Sequence, residues 1–286
     1  PQRNPVWPYL WMLLGAAATA SMVAGSHALN GRCDWRYIAF CRALLALLFS
    51  AGLARGTGAA LIWRWPLSLW VRSIAGSLSM VLSFYAFARL PVADLLTLTN
   101  MFPIWIALLS WPVLKQKPTA FVWLAALLGV TGVTYMQQPH FATANAESHW
   151  GAAAALMGSV CSAVAMLGLH RLKGIPTWSI VTHFSAVAVV FCGTAILTTG
   201  RDKFAAILWD QQTVLLLLTV GLCATLAQLC LTKAFSSGPP SQVAVVSLMQ
   251  VVFGMLYDIG LWNRKFDSHT LLGMTLVVAP TAWLLL

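Results

Sequence analysis

Long apolar runs alternate along the chain with short polar breaks. Stretches of at least eighteen residues free of Asp, Glu, Lys and Arg occur eight times, at 4–31, 95–114, 118–146, 148–170, 174–200, 211–232, 234–257 and 268–286. A helix of that length crosses a hydrocarbon core of about 30 Å. Two shorter runs, 37–54 with Arg42 inside it and 73–88 closed by Arg72 and Arg89, bring the expected spans to ten. They are placed at 8–29, 36–54, 70–89, 92–113, 119–137, 150–170, 177–199, 213–234, 240–261 and 269–286. Ten crossings occupy roughly 200 positions. Connections are therefore short, and whatever the chain does is expected to happen inside the bilayer.

The longest polar connection runs from Gln137 to His149 (QQPHFATANAESH), with Pro139 and Asn145 as helix stops. It divides the chain into five-span halves, 1–138 and 150–286, joined by a linker at 139–149. The halves resemble each other. Ala86, Phe87 and Pro91 match Ala234, Phe235 and Pro239 at a constant offset of 148, which also pairs Thr99 with Ser247, Met101 with Met249 and Lys117 with Lys265. Gly25-Ser-His27-Ala-Leu29 matches Gly168-Leu-His170-Arg-Leu172 at an offset of 143. Together, in order, these matches indicate a duplicated unit. Because each unit has an odd number of spans, the second copy is inverted relative to the first. The expected fold is an all-α integral membrane protein of ten transmembrane helices, arranged as two inverted five-helix repeats.

Composition agrees, with 59% hydrophobic residues and 8% charged against about a quarter charged in a soluble domain. The net charge of +10 would suggest nucleic-acid binding in a soluble chain. Here the basic residues stand singly at span ends, so they read as topology signals and no nucleic-acid partner is expected. On the side of the N-terminus nine are counted (Arg3, Arg55, Arg64, Arg72, Lys115, Lys117, Arg171, Lys173, Lys233) and on the other side seven (Arg32, Arg36, Arg89, Arg201, Lys203, Arg264, Lys265). That small bias favours both termini in the cytoplasm, and near balance suits an inverted duplication. Many of the fourteen Trp fall near span ends, where their rings favour the headgroup level. The six Cys have no metal-ligand spacing, and the five within spans, Cys41, Cys161, Cys192, Cys223 and Cys230, read as packing residues. The first apolar run is long and lacks a basic leader, so it reads as a span.

The order Arg72-x-x-x-Gly76, Phe84-Tyr85-Ala86, Leu90-Pro91-Val92-Ala93-Asp94, Pro103 and Gly129-x-x-Gly132, followed by Ala227-Gln228, Leu231-Thr232-Lys233-Ala234-Phe235 and Gly273, resembles the EamA-type members of the drug/metabolite transporter superfamily along essentially the whole chain. The resemblance implies a solute carrier of the bacterial inner membrane, many members exporting amino acids or other metabolites, with a cavity between the repeats. It implies a small-molecule partner and no cofactor, and a monomer suffices. Two departures stand out. Where the family commonly has Gly-Glu after the fourth and ninth spans, this chain has Lys115-Gln116 and Asn263-Arg264, and Val251 stands where a second Pro103 would align.

A charge at the membrane centre costs about 2.5 to 3.5 kcal/mol on insertion scales, so polar groups within spans are informative. Arg42 reads either as an anion contact or as a snorkelling, helix-holding side chain. Asn100 and Gln250 are the leading cavity candidates, with Gln228 behind them and interhelical bonding as the alternative for all three. Ser79, Ser83, Thr97, Thr99 and Ser247 are lesser ones. Pro103 frees the carbonyl of Thr99. Tyr85 and Lys233 occupy equivalent places at opposite mouths, as gates or as anchors. Trp105 offers a flat ring to a solute or packs between helices. The candidate solute-contacting set is thus Arg42, Tyr85, Asn100, Trp105, Gln228 and Gln250. His27, His170 and His183 suit hydrogen bonding better than proton coupling, since the only span-proximal acids, Asp94 and Asp258, lie near helix ends. No nucleophile elbow, zinc pair or phosphate loop suggests an enzyme. The competing class is a non-transporting scaffold. Within transport, the alternative is an exchanger or importer of anionic or nucleoside-like metabolites, suggested by Arg42, Arg72 and Lys233.

Overall fold

The computed structural model describes residues 6–29, 32–87, 89–90, 92–138, 146–199, 209–262 and 268–285. Its described elements are the helices α1 (Trp7–Ala28), α2 (Trp35–Gly56), α3 (Leu67–Phe87), α4 (Val92–Thr99), α5 (Phe102–Leu114), α6 (Ala120–Gln137), α7 (Ala146–His170), α8 (Thr177–Thr199), α9 (Gln211–Ser237), α10 (Pro240–Ser247), α11 (Met249–Trp262) and α12 (Ser268–Leu285). Among the described residues nine segments are long and apolar enough to cross a membrane, one combining α4 with α5 and another α10 with α11. The 18-residue α12 packs along α6 as the tenth. Asp34, Thr119 and Asp210 supply the N-caps of α2, α6 and α9 by accepting the amides of Arg36, Val122 and Thr213, which satisfies donors the helix itself cannot.

Expected spans and observed helices agree within a few residues, with two differences. α7 starts at Ala146, ahead of the expected 150, and the fourth and ninth spans are each broken in the middle. The first break is dictated by Pro103, which has no N–H to offer the carbonyl four residues back. Thr99 Oγ1 and Asn100 Nδ2 add bonds to the carbonyls of Leu95 and Leu96, both 2.8 Å, competing with the helical ladder. The second break, at Leu248, has no proline. There Ser247 Oγ turns back to the Ala244 carbonyl at 2.6 Å and the Leu248 amide makes a tight three-residue turn to Val245. Thr99 and Ser247 are the pair matched at the repeat offset, so the break is itself duplicated.

The packing repeats as well. α1 lies along α9 as α7 lies along α3, α2 touches α9 as α8 touches α3, and α1 meets α11 as α7 meets α5. α2 pairs with α8 and α6 with α12 across the axis relating the halves. The α6–α12 seam is built on glycine: a Cβ on Gly132 would sit 2.7 Å from the Gly273 carbonyl, and one on Gly273 would sit 2.6 Å from the Gly132 carbonyl. Close backbone approach through small residues is the usual means of helix association in lipid.

At the end of α5, Lys115 takes the left-handed conformation with φ 55°, the place where a resembling family has glycine. A side chain there is strained. Lys115→Gly is expected to stabilise the protein by about 0.5–1 kcal/mol, read as a raised melting temperature; a lower one would mean that the Lys115 side chain is needed. The corresponding Asn263-Arg264 lie outside the described residues, as does the linker at 139–145.

On the face away from the start of α1, Asp210 accepts from Thr213 at 2.9 Å and from Arg32 at 2.8 Å. Hydrogen bonding from Thr213, aided by Arg32, brings its pKa from 3.8 down to about 2. A depressed carboxylate contributes stability above its unfolded pKa and loses it as pH falls through the folded one. The melting-temperature gap between wild type and Asp210→Asn, present at about pH 5, is therefore expected to close toward pH 2. A gap constant over that window would contradict the assignment.

Candidate functional site

The two broken spans meet at their breaks. Gln250 Nε2, in the first turn of α11, donates to Asn100 Oδ1 at 2.8 Å, while Asn100 Nδ2 donates to the Leu96 carbonyl. Asn100 is buried and Gln250 half-buried. One hydrogen bond thus joins equivalent points of the two repeats, deep within the bundle, and uses groups that an apolar core would not contain. Further along α11, α1 is tied to it by Ser21 Oγ and the Tyr257 hydroxyl at 2.7 Å, a pair without a spacing signal because the partners are 236 residues apart.

A second polar cluster lies where α2, α3, α8 and α9 converge. Arg72, counted in the sequence as a loop charge that reports topology, is 1% exposed inside the bundle. This corrects the charge tally on the N-terminal side from nine to eight. Its side chain runs one turn along α3 and lies over Gly76, where a Cβ would come within 2.3 Å of Nη1. The guanidinium face covers the Phe184 ring at 4.1 Å, and Nη2 donates to Gln228 Oε1 at 2.8 Å. The motif Arg72-x-x-x-Gly76 is thereby explained: residues four apart share a helix face, and glycine leaves the trough the arginine fills. Arg42 and Gln228 line one small cavity of about 10 Å³ together with Met80, Phe184 and Ser185. Among the described residues no carboxylate comes within ion-pair distance of Arg42 or Arg72; the ion pairs there are Arg32–Asp210 and Arg36–Asp34.

The remaining sequence candidates stand apart from both clusters. Tyr85 is exposed near the end of α3, its ring covered by the Arg89 guanidinium at 3.6 Å. Trp105 is half-buried, and its Nε1 donates to Ser159 Oγ at 2.9 Å, pinning α5 to α7. Ser79 Oγ bonds the Gly158 carbonyl at 2.8 Å and Ser162 Oγ at 2.7 Å, holding α3 to α7. His170 Nδ1 meets the Phe235 carbonyl at 3.2 Å. His183 Nδ1 meets Ser73 Oγ at 2.8 Å, with the Trp63 and Trp70 rings against it. These histidines serve packing. Among the described residues no three His, Cys, Asp or Glu side chains gather as a metal site would require.

The two ends of the bundle differ. Toward the start of α1, one apolar cluster joins seven helices of both halves, with Met12, Leu69, Ile106, Leu167, Phe235 and Val243 among its members. Toward the other end the apolar groups fall into separate clusters: α1 with α2 and α9, α3 with α4 and α7, and α6 with α11 and α12. Helix pairs agree. α10 packs on α5 and α7, and α7 on α9, more closely than their repeat-related counterparts, α4 with α11, α4 with α1 and α1 with α3, pack among the described residues. The inter-repeat space is sealed at the end bearing the start of α1 and parted at the opposite end. Above the seal lies an opening of about 740 Å³ that includes Trp7, Trp11, Lys173 and Lys233, with the Lys233 ammonium 4.1 Å over the Trp11 ring.

Comparisons with known proteins agree with this architecture. A crystal structure of another protein superimposes with a TM-score of 0.82 at 16% identity, covering 97% of this chain and 95% of its own, which shows the fold. The pseudopaline exporter CntI of Pseudomonas aeruginosa is 31% identical over 243 residues, 84% of this chain and 82% of that protein. Human solute carrier family 35 member G1 is 25% identical over 219 residues, 73% of this chain and 59% of that protein. The model of the EamA-like transporter family matches twice, over residues 6–137 and 149–286. With both halves matched, the chain is a multi-pass membrane protein that belongs to the EamA-like transporter family.

Proposed function

We propose that the protein is a secondary carrier that exports small organic solutes, amino acids or related metabolites, by alternating access between two inverted repeats spanning 1–138 and 150–286. The observation that carries this reading is the unequal sealing of the ends: an inverted duplication can exchange which end is closed, because each contact at the sealed end has a counterpart available at the other. The Asn100–Gln250 bond marks the junction the solute must pass, and Gln228 and Arg42 belong to the same interior. Export is supported by the similarity to an exporter. The membrane is the bacterial inner membrane, with both termini cytoplasmic; the eight-to-seven charge balance favours that orientation only slightly. The chain acts as a carrier without an enzymatic step or cofactor, and one copy contains both repeats.

The test is solute flux. In proteoliposomes loaded with amino acids and related metabolites, the purified protein is expected to release at least one of them faster than empty vesicles do. Acceleration only when a counter-solute is present outside would favour exchange. No flux for any metabolite supplied would support the scaffold reading instead.

A further inference from the structure

The cluster around Arg72 has donors in excess of acceptors. A guanidinium presents five N–H groups; among the described residues Gln228 Oε1 takes one from Nη2, while Nε is buried without a partner. Ser185 Oγ, beside Phe184 and 1% exposed, is also unpartnered. It lines the cavity shared by Arg42 and Gln228. One guanidinium, an amide and a hydroxyl thus line one cavity, and Arg72 adjoins it through its bond to Gln228 and its place over Phe184; among the described residues no carboxylate pairs with either arginine. In lipid a buried charge is ordinarily paired or turned to a polar cavity. A structural arginine would be expected to have its donors taken up by carbonyls, whereas here the buried Nε of Arg72 has no partner.

We infer that Arg42, Arg72, Gln228 and Ser185 form an anion subsite that takes the carboxylate of the transported solute. This rests on the carrier reading and narrows its substrates to organic acids, including amino acids through their α-carboxylate. Arg42 and Arg72 supply the charge. Gln228 offers its amide NH₂ as a further donor and holds Arg72 over Phe184. The present cavity has room for about one water, so the subsite itself is closed in this conformation and the carboxylate enters when α8 moves away from α2 and α3. The opening above the sealed end contains Lys173 and Lys233, and this too favours a solute of negative charge.

Binding can be read without transport, by thermal stability of the purified protein titrated with acetate, its neutral analogue acetamide, and chloride. Expected is a concentration-dependent rise in melting temperature with acetate and none with acetamide. The acetate midpoint should move at least tenfold higher in Arg42→Gln and Ser185→Ala, variants chosen because Arg72, being fully enclosed, could unfold the protein when replaced. Equal response to acetate and chloride would overturn the carboxylate assignment in favour of an inorganic ion. No response to acetate, or an unchanged midpoint in both variants, would overturn the subsite altogether. In either case solute flux through the wild-type protein would remain the separate measure of the carrier reading.

Discussion

Gly273→Ala is expected to lower the melting temperature by several degrees, although the substitution adds only one methyl group. The new Cβ would lie 2.6 Å from the Gly132 carbonyl oxygen, 2.4 Å from Met136 Cγ and 3.0 Å from the Met136 amide nitrogen. Met136 can yield at its side chain; the backbone of α6 can move only with its whole helix. Overpacking of this kind costs about 1–3 kcal/mol, against a gain of about 0.5–1 kcal/mol that alanine normally brings to a helix. Gly254→Ala in α11 provides the control, since a Cβ there meets nothing within 4 Å, and its expected effect is neutral or stabilising. Equal melting temperatures for the two variants would contradict the close α6–α12 seam.

The second large effect concerns the junction of the repeats. Asn100→Leu leaves the Gln250 amide without its acceptor, at a cost of about 1–3 kcal/mol, or a factor of roughly five to more than a hundred. Transport is expected to fall by about that factor. The double variant Asn100→Leu with Gln250→Leu separates function from stability, because replacing both partners by apolar groups of similar shape is nearly neutral for folding. Its stability should return toward wild type while flux remains lost. If the pair were only interhelical bonding, worth about 0.6 kcal/mol on average, the double variant would transport normally.

Most of the fold could be read from the positions of a few charges. The spans follow from charge-free runs, and the inversion follows from their odd number per repeat. Gly129-x-x-Gly132 and Gly273, recognised through a family resemblance, prove to be physical requirements of packing on α6: Gly132 and Gly273 let α6 and α12 meet, and Gly129 leaves room for Leu248 at the break of the ninth span. The break at Asn100 was legible in Pro103. The one at Leu248 was not, because a serine turning back on its own helix leaves no distinctive mark in sequence.

The site was less legible for a related reason. Asn100 and Gln250 could be picked out singly as polar groups in apolar text, but their partnership depends on two helices 150 residues apart meeting at their breaks. Arg72 lies six residues into its helix, and counting from the span end makes it an anchor. Only the trough over Gly76 turns its guanidinium inward. Tyr85 and Trp105 show the converse. Each has the chemistry of a solute contact, yet Tyr85 is engaged by Arg89 and Trp105 by Ser159.

The most direct measurement of alternating access is the sided reactivity of a single thiol at the junction. With the six native cysteines replaced and Gln250→Cys introduced, a membrane-impermeant thiol reagent is expected to label the protein in the resting state from the face opposite the start of α1. During solute turnover labelling should also be gained from the other face, with the two accessibilities changing in opposite directions. Labelling from neither face under any condition, or from both faces at once as through an open pore, would contradict a carrier built from two inverted repeats.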